Sequence, residues 1–369
     1  MLFTYKYVPH SMEKMHEFIG FIFHDVWCKA PGNEYGIHLF EACEPLHQIM
    51  DELYRQDLAD VLKDGAGKRF YQSVNEIYNE FKKLNEDDIV QYRSHFLVNN
   101  SIEELCSSIA EHSPARYCDL NPTLKTLNDR LEEFFKSLYA SGFFSLKPVK
   151  NAIGSDLNTY YADFVRENSS GCCPFCGLQP IDNEFDPTRE AFDHYLPKSK
   201  YPFNTVNLKN LVPSCHKCNS GNKGNKDPIH DENNNRRKSF YPFTQMAPDI
   251  QLSVVIQDRN WSPLTPEKLS ISFYSVLHQE EINTWNDLFR IESRYLAKCC
   301  DSGGGQYWLN RIFSERHNYK LSVQDMLDAE MQNASNEPWV DSNFLKKIFL
   351  EGCQQAGLFD VIARNGVVS

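Results

Sequence analysis

Three stretches in the middle of the chain decide its fold: Cys173–Cys176 reads Cys-Pro-Phe-Cys, Phe192–Pro197 reads Phe-Asp-His-Tyr-Leu-Pro, and Asn210–Asn219 reads Asn-Leu-Val-Pro-Ser-Cys-His-Lys-Cys-Asn. Two Cys-x-x-Cys pairs are typical of ligands that hold one tetrahedral Zn²⁺ ion, whereas a redox pair needs only one such motif. The predicted zinc ligands are Cys173, Cys176, Cys215 and Cys218. Four thiolates leave no open position for water, so this zinc is structural.

A second group of polar residues surrounds the predicted zinc site. Asp193 and His194 lie between the cysteine pairs, and Asn219 follows the second pair directly. Carboxylate and amide oxygens suit a hard divalent cation, and an imidazole can accept a proton near neutral pH. The combination indicates metal-dependent hydrolysis of a phosphodiester.

These motifs resemble the HNH (ββα-metal) endonuclease family over about residues 172–227. The resemblance implies that His194 is the general base and that Asp193 and Asn219 hold a catalytic Mg²⁺ or Mn²⁺ ion. It also implies that Asn210 pins the hairpin loop and orients the histidine. Lys223 resembles the family's trailing lysine but comes one residue late, which leaves Asn219 and Asn222 as alternative metal ligands.

One feature of this assignment is in tension with strand geometry. Neighbouring residues of a regular strand face opposite ways, so Asp193 and His194 serve one site only where the chain bends. Pro197, three residues later, indicates that the strand ends nearby.

Charge is concentrated near the motifs. The chain carries a net charge of −12, but residues 198–238 hold nine basic and three acidic residues, a net of +6. A basic patch that overlaps a metal motif favours contact with phosphates, although a solvated lysine-rich loop explains the charges alone. The residues predicted to contact nucleic acid are Lys198, Lys200, Lys209, Lys217, Lys223 and Lys226.

Hydrophobic periodicity divides the chain into three predicted domains. Residues 1–150 are a helical domain with a partner or regulatory role, 151–242 the nuclease domain with its zinc, and 243–369 a mostly helical α+β region. The fold class is therefore mainly α with an inserted α+β core, a zinc-stapled ββα-metal domain between helical flanks. We also predict a capping box at residues 101–104, a hairpin from 250–257 and 269–274, and one helix over 281–296.

Composition excludes several classes of protein. No apolar run reaches the roughly eighteen residues of a membrane span, and no secretory signal is evident. Only four of the twelve cysteines have metal spacing, and free thiols in a reducing cytoplasm explain Cys28, Cys43, Cys106, Cys118 and Cys353. A zinc deaminase needs His-x-Glu upstream of Pro-Cys-x-x-Cys, and that arrangement is missing.

A narrower resemblance, to Septu-like HNH effectors of bacterial anti-phage defence, rests on residues 193–226 and on residues 284–289 with Arg294-Tyr295. It implies DNA as substrate and a protein partner, with an ABC/SMC-like ATPase as the candidate. An HNH-type RNase, which would cut RNA with the same site, is an alternative. A zinc module that binds nucleic acid or protein without catalysis is another, but it leaves Asp193, His194 and Asn219 unexplained.

Overall fold

The computed structural model describes residues 3–58, 65–107, 113–140, 146–244, 246–258, 263–315 and 319–360. Helices dominate this part of the chain, and the strands form two small sheets. The helices are α1 Lys14–Phe21, α2 Glu44–Leu58, α3 Ala66–Phe81, α4 Glu86–Asn100, α5 Ile102–Cys106, α6 Lys125–Ala140, α7 Lys147–Ile153, α8 Leu157–Glu167, α9 Gln279–Phe289, α10 Ile291–Cys300, α11 Gly305–Asn310, α12 Val323–Asn336 and α13 Asn343–Gln355. The strands are β1 Phe192–His194, β2 Leu211–Pro213, β3 Gln251–Ile256 and β4 Leu269–Tyr274.

The helices before residue 150 form where apolar residues recur at helical spacing. In α3 the buried residues include Phe70, Val74, Ile77 and Phe81, which lie on one side of the helix. The side chain of Asn85 caps α4 by accepting a hydrogen bond from the Asp88 amide at 2.9 Å. These contacts confirm the helical character predicted for the region.

The capping box predicted at residues 101–104 is wrong. The Ser101 side chain makes no cap bond to α5. Its hydroxyl instead donates to the Leu97 carbonyl of the preceding helix at 3.3 Å. Because α4 ends at Asn100 and α5 begins at Ile102, Ser101 is the residue between the two helices. Its hydroxyl bonds to a carbonyl at the C-terminal end of α4 rather than to an amide of α5.

A short hairpin carries the Asp-His motif. Strand β1 pairs antiparallel with β2, so that Asp193 lies opposite Val212 and His194 opposite Leu211. A single π-helical turn, Lys217–Lys223, follows β2 where the family resemblance implies a helix. The described residues thus confirm a mainly helical protein with small two-stranded sheets close to a buried four-cysteine cluster.

The region after residue 243 contains the second hairpin and a group of helices. Strands β3 and β4 pair antiparallel from Gln251 opposite Tyr274 to Ile256 opposite Leu269, which confirms the predicted hairpin. The single helix predicted over 281–296 is wrong, because α9 and α10 are separate helices. Arg290 lies between the two helices and adopts the left-handed conformation, with φ of 52°, which ends α9 before α10 begins.

The three predicted domains share one hydrophobic core, to which buried side chains from all three contribute. Backbone groups also bond across them: the Tyr117 amide donates to the Lys200 carbonyl at 2.9 Å, and the Ser239 amide to the Cys106 carbonyl at 2.9 Å. The zinc-motif segment is therefore packed between its flanks. The domain boundaries themselves stay a prediction.

Replacing Gly352 by alanine is expected to destabilise the protein by about 1–3 kcal/mol, the usual cost of overpacking. Helix α13 lies so close to β3 that a Cβ at this glycine would come within 2.2 Å of the Val254 carbonyl oxygen. Gly20→Ala is the matched control, since a Cβ in α1 meets nothing within 4 Å and should stabilise the helix by up to about 1 kcal/mol. Urea denaturation of both variants measures the difference, and an unchanged midpoint for Gly352→Ala would contradict the packing.

Candidate active site and metal centre

Four buried cysteine side chains converge on one point. The Sγ atoms of Cys173, Cys176, Cys215 and Cys218 all lie within 4.8 Å of one another. Zinc–sulfur bonds of about 2.3 Å require tetrahedral sulfurs about 3.8 Å apart, so this donor set fits a Zn²⁺ ion. Cys172 is buried beside the cluster but is not a member of it.

Each cysteine pair sits in a tight backbone turn that aims both sulfurs inward. In the first turn the Gly177 amide donates to the Cys173 carbonyl at 2.7 Å, with Gly177 at φ of 65°, a conformation that favours glycine. In the second turn the amides of Cys218 and Asn219 donate to the Cys215 carbonyl at 2.9 and 3.0 Å. Local backbone geometry therefore produces both halves of the candidate zinc site.

Residues from α9 and α10 hold the zinc turns in place. The Trp285 indole N–H donates to the Phe175 carbonyl at 2.6 Å, and the Tyr295 hydroxyl donates to the Cys176 carbonyl at 2.8 Å. The Arg294 guanidinium donates to the Cys218 sulfur at 3.2 Å. Four thiolates around Zn²⁺ carry a net charge of −2, so a cation next to a sulfur stabilises the loaded site electrostatically.

Arg294→Gln is expected to weaken zinc binding by about 10–100-fold, the range usual for groups that bond to metal ligands. Transfer of zinc to a chromogenic chelator measures the affinity in both proteins. Arg290→Gln is the matched control, because Arg290 is exposed on the neighbouring turn and makes no side-chain bond to the cysteines. Equal zinc affinity in wild type and Arg294→Gln would contradict the electrostatic role.

Asp193 is a buried carboxylate held by a buried lysine. The Lys223 ammonium lies 3.0 Å from Asp193 Oδ1 and donates to the His194 carbonyl at 2.9 Å. The other carboxylate oxygen, Oδ2, is buried without a hydrogen-bond partner. Burial raises the pKa of the Asp193 carboxyl, against the opposing charge of Lys223. A carboxylate oxygen without a hydrogen-bond partner can coordinate a hard cation. Asp193 therefore fits one ligand position of a Mg²⁺ site.

The His194 side chain has different neighbours. Its Nε2 lies 3.0 Å from the Thr205 carbonyl oxygen, and its ring meets the edge of the Tyr139 ring, with centroids 4.9 Å apart. Burial, with the Lys198 charge as second cause, lowers the pKa of His194 to about 3. The imidazole is therefore neutral at pH 7. Asp193 and His194 thus take different partners, as strand alternation requires.

Asn210 closes the loop between the two strands. Its side-chain oxygen accepts from the Leu196 amide at 2.7 Å, and its amide group donates to the Leu196 carbonyl at 3.1 Å. The same amide group lies 3.5 Å from the Asn204 carbonyl oxygen. These bonds tie both ends of the loop that carries Thr205, and the role of Asn210 in catalysis stays a prediction.

The π-helical turn distinguishes the two candidate asparagines. The Gly224 amide donates to the Asn219 carbonyl at 2.7 Å, the five-residue bond of a π-helix, so Asn219 lies about one turn before Lys223. Lys223 contacts Asp193, and residues about one helical turn apart share a side of the helix, so we expect Asn219 to face Asp193 as well. The Asn222 side chain instead donates to the Lys217 carbonyl. This arrangement favours Asn219 as a ligand, and the assignment stays a prediction.

The six predicted nucleic-acid lysines have unequal surroundings. Lys223 is buried against Asp193, and Lys226 donates to the Asp287 carbonyl at 2.6 Å. Lys200 lies 3.9 Å from an Asp227 carboxylate oxygen. Lys209 and Lys217 are exposed, and Lys198 is half-buried with its ammonium 5.2 Å from the centre of the Tyr139 ring. These positions do not test whether the lysines contact nucleic acid, so that role stays a prediction for all six.

Sequence reasoning missed two direct neighbours of His194, Tyr139 and Thr205, and also Arg189, which bonds to the Tyr139 hydroxyl. None belongs to a spacing motif, and Tyr139 stands beside the apolar stripe of α6 rather than in it. By contrast, Trp285, Arg294 and Tyr295 lie in the stretches 284–289 and 294–295, which the narrower resemblance includes. In the structure their side chains bond to the two turns that carry the cysteine pairs.

Two curated proteins share a part of this sequence. Protein ea31 of Escherichia phage lambda is 44% identical over 66 residues, which are 18% of this chain and 20% of that protein. The Septu protein PtuB of Bacillus thuringiensis is 41% identical over 61 residues, 16% of this chain and 22% of that protein. The chain thus covers only about a fifth of the length of either relative. No family model matches the chain, and no solved structure matches it.

Within the described residues, every helix is too short or too polar to span a lipid bilayer. The comparisons and the geometry together show a local similarity to these two proteins and a four-cysteine cluster suited to zinc.

Proposed function

We propose that this protein is a metal-dependent endonuclease of the HNH type that hydrolyses phosphodiester bonds of DNA. The observation that carries the proposal is the position of the Asp193-His194 step. It lies on a hairpin whose second strand, β2, runs directly into the cysteine pair of the zinc cluster. The zinc site thereby holds β2 and the π-helical turn in place around Asp193, so the metal stabilises a site built from other residues.

His194 would act as the general base. Because a carbonyl oxygen can only accept, the Thr205 carbonyl fixes the imidazole proton on Nε2 and leaves a lone pair on Nδ1. Nδ1 would take a proton from the water that attacks the phosphorus. Asn210 supports this tautomer indirectly, since it ties down the loop that presents the Thr205 carbonyl.

Asp193 and Asn219 would hold the catalytic cation. A Mg²⁺ or Mn²⁺ ion supplies charge stabilisation at the phosphate and at the leaving oxygen. Lys223 would keep Asp193 ionised and aligned by binding one carboxylate oxygen, which leaves Oδ2 for the ion. The same ammonium holds the His194 carbonyl and so couples the positions of the two residues.

The similarity to the Septu protein PtuB supports a narrower proposal, a role as an effector of anti-phage defence. We propose that the protein acts with a partner, for which an ABC/SMC-like ATPase is the candidate. The flank 1–150 would carry this partner or regulatory role. Phage plating on cells that express the wild type or His194→Ala tests the defence role, and equal plating on both would contradict it.

The nuclease proposal is tested by incubating the purified full chain with supercoiled plasmid and Mg²⁺ or Mn²⁺, with and without EDTA. We expect nicked or linear DNA that disappears with EDTA, while zinc remains bound, because four thiolates hold Zn²⁺ far more tightly than one carboxylate and one amide hold Mg²⁺. A parallel incubation with single-stranded RNA distinguishes the RNase alternative. A zinc-loaded protein that cuts neither substrate would favour the non-catalytic zinc module.

A further inference from the structure

Tyr139 of α6 is the common neighbour of three groups at the end of β1. Its ring meets His194 edge-on at 4.9 Å, and the Lys198 ammonium lies 5.2 Å from its centre. Its hydroxyl bonds to Arg189. Burial raises the pKa of this hydroxyl, and the charge of Arg189 opposes that rise. Two cations therefore contact the same tyrosine side chain as the candidate base, Lys198 through the ring and Arg189 through the hydroxyl.

Arg189 packs on Phe192, a residue of β1 that lies two positions before His194. Residues two apart on a strand face the same way, so Phe192 and His194 share one face of β1. The Arg189 guanidinium lies 5.3 Å from the centre of the Phe192 ring. It is further fixed by donating to Asn158 Oδ1 at 2.8 Å and to the Glu190 carbonyl at 3.1 Å. The guanidinium has five N–H groups. If the Tyr139 hydroxyl, Asn158 Oδ1 and the Glu190 carbonyl each accept from a separate one, two N–H groups remain for another acceptor.

Neither cation has a carboxylate partner within 4.0 Å among the residues that the structure describes. Other cations of the same region have carboxylate partners: Asp193 lies beside Lys223, and Asp287 lies beside both Lys226 and Arg237. Lys198 is half-buried, and burial lowers the pKa of its ammonium. Partial burial of a cation without a counter-charge is unfavourable, so an anion bound between the two would be stabilised.

We infer that Lys198 and Arg189, held against Tyr139, form a subsite for a backbone phosphate of the nucleic acid beside His194. The inference rests on the proposed function and adds to it the means by which the strand is positioned. A guanidinium recognises phosphate oxygens through its planar pair of N–H groups, and an ammonium acts as a point charge. Tyr139 is a positioning residue, since it orients both cations.

The test measures binding of a fluorescein-labelled DNA duplex with Ca²⁺ in place of Mg²⁺, at NaCl concentrations from about 50 to 200 mM, the range over which phosphate contacts dominate. Arg189→Gln and Lys198→Gln should each reduce the slope of log K against log[salt] by about 0.9, and the double variant by about 1.8, because each removes one phosphate contact. Arg189→Lys and Lys198→Arg keep the charge and should keep the slope. Unchanged thermal melting shows that each variant is folded.

Lys125→Gln and Arg55→Gln serve as matched controls, because each cation has its own carboxylate, Asp129 and Asp51, and should leave the slope unchanged. A wild-type slope in the folded double variant would overturn the subsite and leave the nuclease proposal standing. DNA binding with the expected slopes but no cleavage with Mg²⁺ or Mn²⁺ would support the subsite and overturn the nuclease. Failure of the wild type to bind DNA would overturn both.

Discussion

Replacing His194 by alanine is expected to slow plasmid cleavage by about 10²–10⁴-fold, the usual contribution of a general base. The substitution removes the Nδ1 lone pair but no zinc ligand and no backbone bond of the hairpin. The hairpin pairing with Leu211 and the Lys223 bond to the residue 194 carbonyl use backbone atoms, which remain in the variant. Zinc content and duplex binding should therefore stay close to wild type. Single-turnover cleavage with saturating Mg²⁺ measures the loss.

His95→Ala is the matched control for this experiment. His95 is also half-buried and also meets a tyrosine ring edge, that of Tyr92 at 6.4 Å, but it lies on α4 outside the candidate site. We expect cleavage within a few-fold of wild type. Comparable losses in both variants would show that the histidine ring is needed for packing, and full activity of His194→Ala would remove it from catalysis.

Cys215→Ser is expected to lose bound zinc and to unfold the segment around the hairpin. Structural zinc sites contribute an apparent 10–16 kcal/mol of binding free energy, about as much as the roughly 5–15 kcal/mol that stabilises a whole domain. Cys215 directly follows the strand that pairs with β1, so loss of zinc removes the anchor of β2. Elemental analysis and thermal melting together measure the effect.

Cys172→Ser is the matched control for zinc loss. Cys172 is as buried as the ligands and precedes Cys173 directly, but its sulfur is outside the four-cysteine cluster. It should retain one zinc per chain with a small shift in melting temperature. Zinc retention by Cys215→Ser would remove the zinc framework from this site, and zinc loss by Cys172→Ser alone would reassign the ligand.

The four-cysteine cluster was predictable because the geometry of each cysteine pair is determined by residues close to it in the sequence. A Cys-x-x-Cys turn aims its two sulfurs through bonds made within a few residues, as the Gly177 and Asn219 amides show. The spacing therefore predicts the four cysteines without knowledge of the packing, and the structure brings these four sulfurs into one cluster that fits a Zn²⁺ ion. The same holds for the β3–β4 hairpin, whose alternating pattern predicts the pairing that is observed.

Other features depend on a single backbone angle or on competing bonds. Residues 281–296 keep a helical pattern across Arg290, but one left-handed residue there ends α9 and lets α10 begin. At Ser101 the capping pattern is present, yet the hydroxyl bonds backward to Leu97. Apolar periodicity indicates which faces of an element are buried. It does not indicate whether one residue adopts a left-handed conformation or which carbonyl a serine hydroxyl bonds to.

The sequence alone predicted the four clustered cysteines, the Asp193-His194 step beside them and the helical character of the flanks. Tertiary structure decided the surroundings of that step. It brings Tyr139 to the His194 ring from 55 residues away and Arg294 to Cys218 from 76 residues away. It also buries Lys223 against Asp193 while Lys198 keeps no carboxylate partner among the described residues. Contacts between distant residues arise from the packing of whole elements, which leaves no periodic pattern in the sequence. Two lysines of the same motif region therefore differ, since Lys223 is a buried counter-ion and Lys198 is half-buried against an aromatic ring.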